Sequence, residues 1–306
     1  MRYRYLTADV FTDRPFGGNQ LAVIPDARGL TDAQMHQIAR EFNYSESTFV
    51  FPPELPAHTR RVRIFTPGGE LPFAGHPTVG TAHVLAACGE LRLTGETTRI
   101  VLEEKVGPVP VTIRARAGVP EFAQLEVAKL PEVGPPPPPR KALAALLSLE
   151  DADLLDGEWA PQTVSCGVPF LFVPLRDRAA VARARAKADL LEQTLGAYAT
   201  QMVFVFARGD DGDTEQPVRA RMFAPTIGVP EDPATGSACA ALGGYLAARD
   251  TTVRDGTRQW TVEQGFEMGR PSIMALEVDR EAGRVTGVRV GGCSVLMCDG
   301  TIEVPA

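Results

Sequence analysis

Two short stretches decide how this chain is read: His76-Pro77-Thr78-Val79-Gly80-Thr81-Ala82 and Asp232-Pro233-Ala234-Thr235-Gly236-Ser237-Ala238. They share the pattern His/Asp-Pro-x-x-Gly-Ser/Thr-Ala, stand 156 residues apart in a chain of 306, and each runs on into an apolar helical segment. Upstream, Arg63-Ile64-Phe65-Thr66-Pro67 resembles Arg221-Met222-Phe223-Ala224-Pro225, and Thr48-Phe49-Val50-Phe51 lines up with Val203-Phe204-Val205-Phe206. Matches in the same order at nearly one offset are an architectural signal. With a period of half the chain, they predict two similar α+β halves rather than a solenoid.

Working outward, Tyr3–Phe11 and Leu21–Ile24 read as strands separated by the turn Pro15-Phe16-Gly17-Gly18-Asn19. Thr31 and Gln34 have capping-box spacing, and Met35, Ile38, Ala39 and Phe42 repeat at helical intervals up to Asn43-Tyr44. Thr48–Phe51 and Val62–Phe65 read as strands and Thr78–Cys88 as a helix. Strands at 98–102, 109–114 and 122–127 follow, and Glu103-Glu104 reads as the exposed end of the first. The run Pro135–Pro139 reads as a linker, because consecutive prolines favour an extended chain. After it, Lys141–Leu149 and Val181–Leu195 read as helices, with Arg183, Arg185 and Lys187 on a solvated face. The expected division is an N-terminal half over 1–130, a C-terminal half over 131–285, and final strands over 286–306 returning to the first half.

Composition narrows the function. Lys and Arg number 31 against 38 Asp and Glu, giving a net charge of −7 that argues against nucleic acid as a partner. No apolar run approaches the ~18 residues needed to span a bilayer, and the first residues lack the pattern of a secretory signal. Five cysteines, an odd number, suggest reduced thiols and a cytoplasmic protein. Zinc-ligand spacings and the standard nucleotide-binding glycine loops are missing, so no metal and no cofactor are expected.

Each repeated motif sets a titratable residue beside a proline and a glycine before a helix. Proline suits a first helical turn. The free N–H groups there, with the positive end of the helix dipole, bind anions. Two such starts facing one cleft would suit a substrate carboxylate, bound around Gly75–Thr78 or Ala234–Ser237. Thr81 and Ser237 would add hydroxyl donors and Asn19 would reach in from its turn. Glu46, in Asn43-Tyr44-Ser45-Glu46-Ser47, sits between a helix end and an apolar strand. A carboxyl pressed against such a strand has a raised pKa, suited to proton donation. The matching place in the second half, near Thr200-Gln201, carries no acid.

The segments Asp9-Val10-Phe11-Thr12, Phe16-Gly17-Gly18-Asn19, Ser45-Glu46-Ser47, Phe73–Ala82 and Glu231–Ala238 resemble the PhzF family of phenazine-biosynthesis-like isomerases, over nearly the whole chain. The resemblance implies a fold similar to diaminopimelate epimerase: α+β, with two pseudo-symmetric halves, each a curved, mostly antiparallel sheet wrapped around a central helix. It implies a cofactor-independent isomerase that shifts a proton in a small carboxylic acid, the type substrate being trans-dihydro-hydroxyanthranilic acid. The Glu matching Glu46 is the family's acid/base, helped by residues matching His76, Asp232 and Ser237. Asn19, Ser45, Gly75, Thr78, Thr235 and Gly236 complete the substrate-binding set it suggests.

Related epimerases and racemases use two thiols at the facing helix starts, and neither motif here contains a cysteine, which disfavours that chemistry. A two-base epimerase using Glu46 with Asp232 or His76 stays open, as does a non-catalytic metabolite-binding protein. The expected partners are a small anionic carboxylate and, as a homodimer, a second copy of the chain.

Overall fold

The computed structural model describes residues 1–209, 217–250 and 254–305. It is an α+β chain rich in strands that divides into two compact units. Unit 1 is Met1–Ala128 with the chain from Val290 onward, and unit 2 is Lys129–Arg289. Ala306, the end of the expected third segment, lies outside the described residues.

In unit 1, β1 (Arg2–Val10) pairs antiparallel with β2 (Asn19–Ile24), Val10 opposite Asn19. The helix α1 (Asp32–Phe42) then carries the chain over, so that β3 (Glu46–Phe51) lies parallel to β2 with Leu21 beside Glu46. Both halves of the expected capping box form: the Thr31 hydroxyl accepts from Gln34 N, and Gln34 Oε1 accepts from Thr31 N. Asn43, left-handed at φ 51°, ends the helix and turns the chain toward Glu46. β4 (Arg60–Thr66) runs antiparallel to β3 and to β5 (Gly69–Leu71).

The helix α2 (Gly75–Ala87) follows, buried from Gly75 through Ala86. A helix without a polar face must lie inside, and α2 packs against β1, β2 and β3. It also packs on β7 (Gly107–Arg116) and β8 (Val119–Glu126). β6 (Thr97–Glu104) is parallel to β4 and antiparallel to β7, which is antiparallel to β8. Gly80 explains the close approach of the helix: a Cβ there would stand 2.5 Å from Val10 Cγ2 and 2.6 Å from Leu21 Cδ2.

Unit 2 opens with β9 (Glu132–Val133), α3 (Arg140–Leu146), β10 (Gln162–Ser165) and β11 (Pro169–Pro174). β10 is antiparallel to both β9 and β11. The proline run is therefore no linker. It lies inside unit 2, fixed by Gly134 N donating to Thr163 O and the Tyr198 hydroxyl donating to Pro135 O, and Pro139 is the N-cap of α3.

The helix expected over Val181–Leu195 is also two, α4 (Arg178–Arg183) and α5 (Ala188–Leu195). Between them Arg185 N donates to Leu147 O and Lys187 N to Leu146 O. Those N–H groups satisfy the end of α3 rather than continue a helix, so tertiary pairing overrides the helix-forming Ala/Arg sequence.

β12 (Val203–Ala207) lies parallel to β11 and antiparallel to β13 (Val218–Ala224), which is antiparallel to β14 (Val229–Asp232). Then come α6 (Gly236–Ala247), β15 (Gly256–Gln264) parallel to β13, and β16 (Ser272–Glu281) antiparallel to β15. The buried α6 packs on β10, β11 and β16. β17 (Arg284–Gly292) leads back to unit 1, where β18 (Ser294–Glu303) pairs antiparallel with β1 and contacts α2. No helix among the described residues is long and apolar enough to cross a membrane.

Candidate active site

Glu46 is the first residue of β3, and its side chain is 16% exposed. Its place follows from the left-handed Asn43, which lets α1 end three residues before the strand begins. His76 is the second residue of α2 and is buried. Its Nε2 lies 3.4 Å from Glu46 Oε2. On the other side of the ring, Asn19 Nδ2 is 3.2 Å from His76 Nδ1. An amide nitrogen can only donate, so Nδ1 accepts and the ring proton sits on Nε2. Burial pushes the His76 pKa down to about 3, against a smaller opposite effect from the Gln20 backbone. The ring is neutral, so its 3.4 Å contact with Glu46 is not an ion pair, and Nε2 and Oε2 lie close without a hydrogen bond between them.

Asn19 itself is fixed by the turn before it. Gly18 has φ +60°, a conformation that favours glycine, and a Cβ there would lie 2.2 Å from Val10 O. Pro77 has no N–H, so the open donors of this helix start belong to Gly75 and His76. Ser45 directly precedes Glu46 and is half-buried. The Thr81 hydroxyl, expected as a donor for substrate, is instead 2.8 Å from the Thr48 hydroxyl. Thr78 Oγ1 is engaged as well, 2.7 Å from Ala74 O and 2.5 Å from Glu104 Oε1.

In unit 2, Asp232 is buried but does not stand in a helix. It ends β14, four residues before Gly236 opens α6. The expectation of a titratable side chain at each helix start therefore holds for His76 alone, because Pro233-Ala234-Thr235 forms a non-helical link. That link is tightly held. Thr235 donates its hydroxyl to Asp232 Oδ2 at 2.5 Å, and Gln264 Nε2 donates to Asp232 O and to Thr235 Oγ1. Thr235 N donates to Gln264 Oε1, and Ser272 Oγ to Pro233 O. Ser237, second in α6, is half-buried.

Two residues escape the sequence reading. Gln264 is one, and no local pattern marks it. Glu104 is the other: expected as an exposed strand end, it is buried, 7% exposed. The signal is in the sequence, since Thr98, Ile100, Leu102 and Glu104 fall on one face of β6 and all are buried. Its neighbour Glu103 points the other way, accepting from Glu54 N, Leu55 N and the His58 ring.

Burial disfavours the thiolate at four of the five cysteines. All five are free. Burial pushes Cys166 up to about 12 and raises Cys239 further, and it also raises Cys88 and Cys293. Among the described residues no group of three or more His, Cys, Asp or Glu is placed to hold a metal ion.

The phenazine biosynthesis-like protein family, PhzC-PhzF, matches residues 8–300. An uncharacterized isomerase from Mesorhizobium japonicum is 39% identical, the match covering 98% of each chain. The trans-2,3-dihydro-3-hydroxyanthranilate isomerase of Pseudomonas aeruginosa is 33% identical over 97% of this chain and 98% of its own. Among solved structures, a PhzF-family phenazine biosynthesis protein from Bacillus anthracis matches 99% of both chains with a TM-score of 0.87 at 25% identity.

Proposed function

The chain belongs to the phenazine biosynthesis-like protein family and is an isomerase, and from that premise we propose that it shifts a proton between carbon atoms of a small carboxylic acid by general acid/base chemistry, without a cofactor. The observation that carries this reading is the 3.4 Å contact between the neutral His76 ring and Glu46.

Glu46 takes the proton from one carbon and returns it to another, so that the substrate is rearranged with no net loss of atoms. The His76 Nε2–H stabilises the carboxylate form of Glu46 in the half-reaction when it has given its proton away. Asn19 holds the ring in the tautomer this needs. The substrate carboxylate binds the open N–H groups at Gly75 and His76, with Ser45 at the edge. Within unit 2, Asp232 is the proton-carrying group, with Gly236 and Ser237 as its donors, while Thr235 is left out because its hydroxyl and its N–H are used by Asp232 and Gln264. Thr78 is left out of the binding set, because its hydroxyl is used within unit 1.

We also read the two units as one duplicated, pseudo-symmetric fold. Supporting this, β2, β3, β4, β5 and β6 pair in the same sequence of parallel and antiparallel partners as β11, β12, β13, β14 and β15. Their helices open at Gly75 and Gly236. Counted from those starts, His76 corresponds to Ser237, and Asp232 corresponds to Leu71. The match between His76 and Asp232 seen in the sequence is thus out of register with the helices. A cytoplasmic homodimer completes the proposal.

The test is solvent-deuterium incorporation into trans-2,3-dihydro-3-hydroxyanthranilate and a panel of small unsaturated or α-amino carboxylates. Label should enter carbon positions with wild type, and Glu46→Gln should lower the rate by about 10²–10⁴-fold while ligand binding survives. Near-normal exchange by Glu46→Gln would move the chemistry to Asp232. Binding without exchange by wild type would leave a metabolite-binding protein.

A further inference from the structure

We propose that Glu104 is a protonated acid that positions His76, by locking the first turn of α2 through Thr78 and the Ala74 carbonyl. The inference rests on the reading that places His76 at the reacting site.

Counting protons carries it. Thr78 Oγ1 is 2.7 Å from Ala74 O and 2.5 Å from Glu104 Oε1. A hydroxyl has one proton to give and lone pairs to accept with. A carbonyl can only accept, so the contact with Ala74 O uses the Thr78 proton. The short contact with Glu104 then needs a proton from the acid. The result is a directed relay: Glu104 donates to Thr78, and Thr78 donates to Ala74. An ionised Glu104 would compete for the Thr78 proton and draw it from Ala74 O.

That carbonyl matters because Ala74 is the N-cap of α2 and has no side chain to cap it. Apart from the Thr78 hydroxyl, Ala74 O receives the Thr78 backbone N–H at 3.3 Å. Gly75 and His76 follow directly, so the proton on Glu104 sets how firmly the turn carrying His76 is held. Glu104 Oε2 supports the neutral state: it is buried and has no hydrogen-bond partner, a costly place for half of a carboxylate charge.

The groups around Glu104 leave this state undisturbed. From β4 and β5, Arg61 is engaged with Glu54, and Arg63 with Glu70. Lys105, next along the chain, reaches Glu70, and Glu103 binds His58. From α2 come His76 and His83, both held neutral by burial. β7 places Gly107 beside Glu104. Burial raises the Glu104 pKa to about 8, and only a Thr78 proton turned toward the ionised carboxylate, away from Ala74 O, would pull it down. Glu104 lines a cavity of about 380 Å³ in unit 1, which gives it a route to exchange its proton with solvent.

The experiment follows the His76 ring by NMR in protein with ¹³C-labelled histidine, without ligand, across the neutral and alkaline range. Wild type should show a shift of the His76 signals with a midpoint of about 8. Glu104→Gln, whose amide donates to Thr78 at every pH, should remove that transition and keep the low-pH signals. Thr78→Val should hold the signals near the alkaline position throughout, and Thr78→Ser should restore the transition. In the deuterium assay, Glu104→Gln should lose the alkaline fall in kcat with KM little changed. A wild-type His76 signal flat through this range, or an unchanged transition in Glu104→Gln, overturns the proposal. The NMR readout needs no substrate, so the lock stands or falls separately from the chemistry assigned to Glu46.

Discussion

His76 Nε2 lies 3.4 Å from Glu46 Oε2, and the histidine is the more deeply buried of the two. The sequence separation is thirty residues, bridged because β3 and the start of α2 both pack within unit 1. The glutamate side chain keeps 16% exposure and the imidazole 4%, a division that suits Glu46 to trade protons with a substrate and His76 to support it from behind.

The first consequence concerns pH. Burial lowers His76 to about 3 and His83 to about 4, from an ordinary value of 6.5. Below the ordinary value the unfolded chain binds protons that the folded chain refuses, so stability must fall with pH. The loss should begin near 6.5 and continue down to about 3–4. Thermal melts on the acid side should show this decline, and His83→Asn should make it shallower. An imidazolium signal for His76 in NMR between pH 5 and 7 would contradict the neutral ring.

Much of unit 1 is legible in the sequence. The Thr31/Gln34 box, the strand after Ser45-Glu46 and the apolar helix after Pro77 all form, because each is specified by neighbours along the chain. What is not legible depends on distant partners. The break between α4 and α5 exists because Arg185 N and Lys187 N bind carbonyls of Leu147 and Leu146, some forty residues away. The repeated motif suggests equal roles for His76 and Asp232, yet local conformation puts one in a helix and the other at a strand end. The burial of Glu104 is written in the strand alternation, but the charge of Glu103-Glu104 argues for solvent and masks it.

Gly18→Ala should damage the site more than the fold. The left-handed φ of +60° costs about 1–2 kcal/mol for alanine, and the clash with Val10 O, 2.2 Å away, forces the turn to move. Asn19 is the next residue, so its contact with His76 Nδ1 shifts with the turn. A displacement of about 1 Å commonly costs about 10²-fold in rate. Turnover of Gly18→Ala and Asn19→Ala should therefore fall together, with Asn19→Ala melting closer to wild type. Full activity in Gly18→Ala would show that the turn does not position the ring.

In unit 2, Arg221 is an internal brace. Its guanidinium forks onto Glu231 through Nε and Nη2, both at 2.8 Å, and Nη1 donates to the carbonyls of Val181, Ala182 and Ala184. It thus caps the end of α4 where the chain leaves the helix. Arg221→Met should destabilise by about 3–5 kcal/mol, since it strands a largely buried carboxylate and several carbonyls. Urea denaturation measures this directly, and a loss under about 1 kcal/mol would mean that water replaces the brace.

The thiols supply the last test, which separates acid/base chemistry at Glu46 from a two-thiol exchange. A thiol reacts as thiolate, and burial raises Cys88, Cys166, Cys239 and Cys293 away from that form. Cys298 is the exposed one. Iodoacetamide near neutral pH should alkylate Cys298 first, on β18, and leave deuterium exchange close to that of the untreated enzyme. Cys239→Ala should also retain exchange, because its sulfur lies in the core of α6, past the first turn. Mass spectrometry can match labelled sites to residual rate. Inactivation that tracks the labelling of Cys88 or Cys239 would return the reaction to thiol chemistry; exchange that survives full labelling of the accessible thiols leaves the proton with the carboxyls.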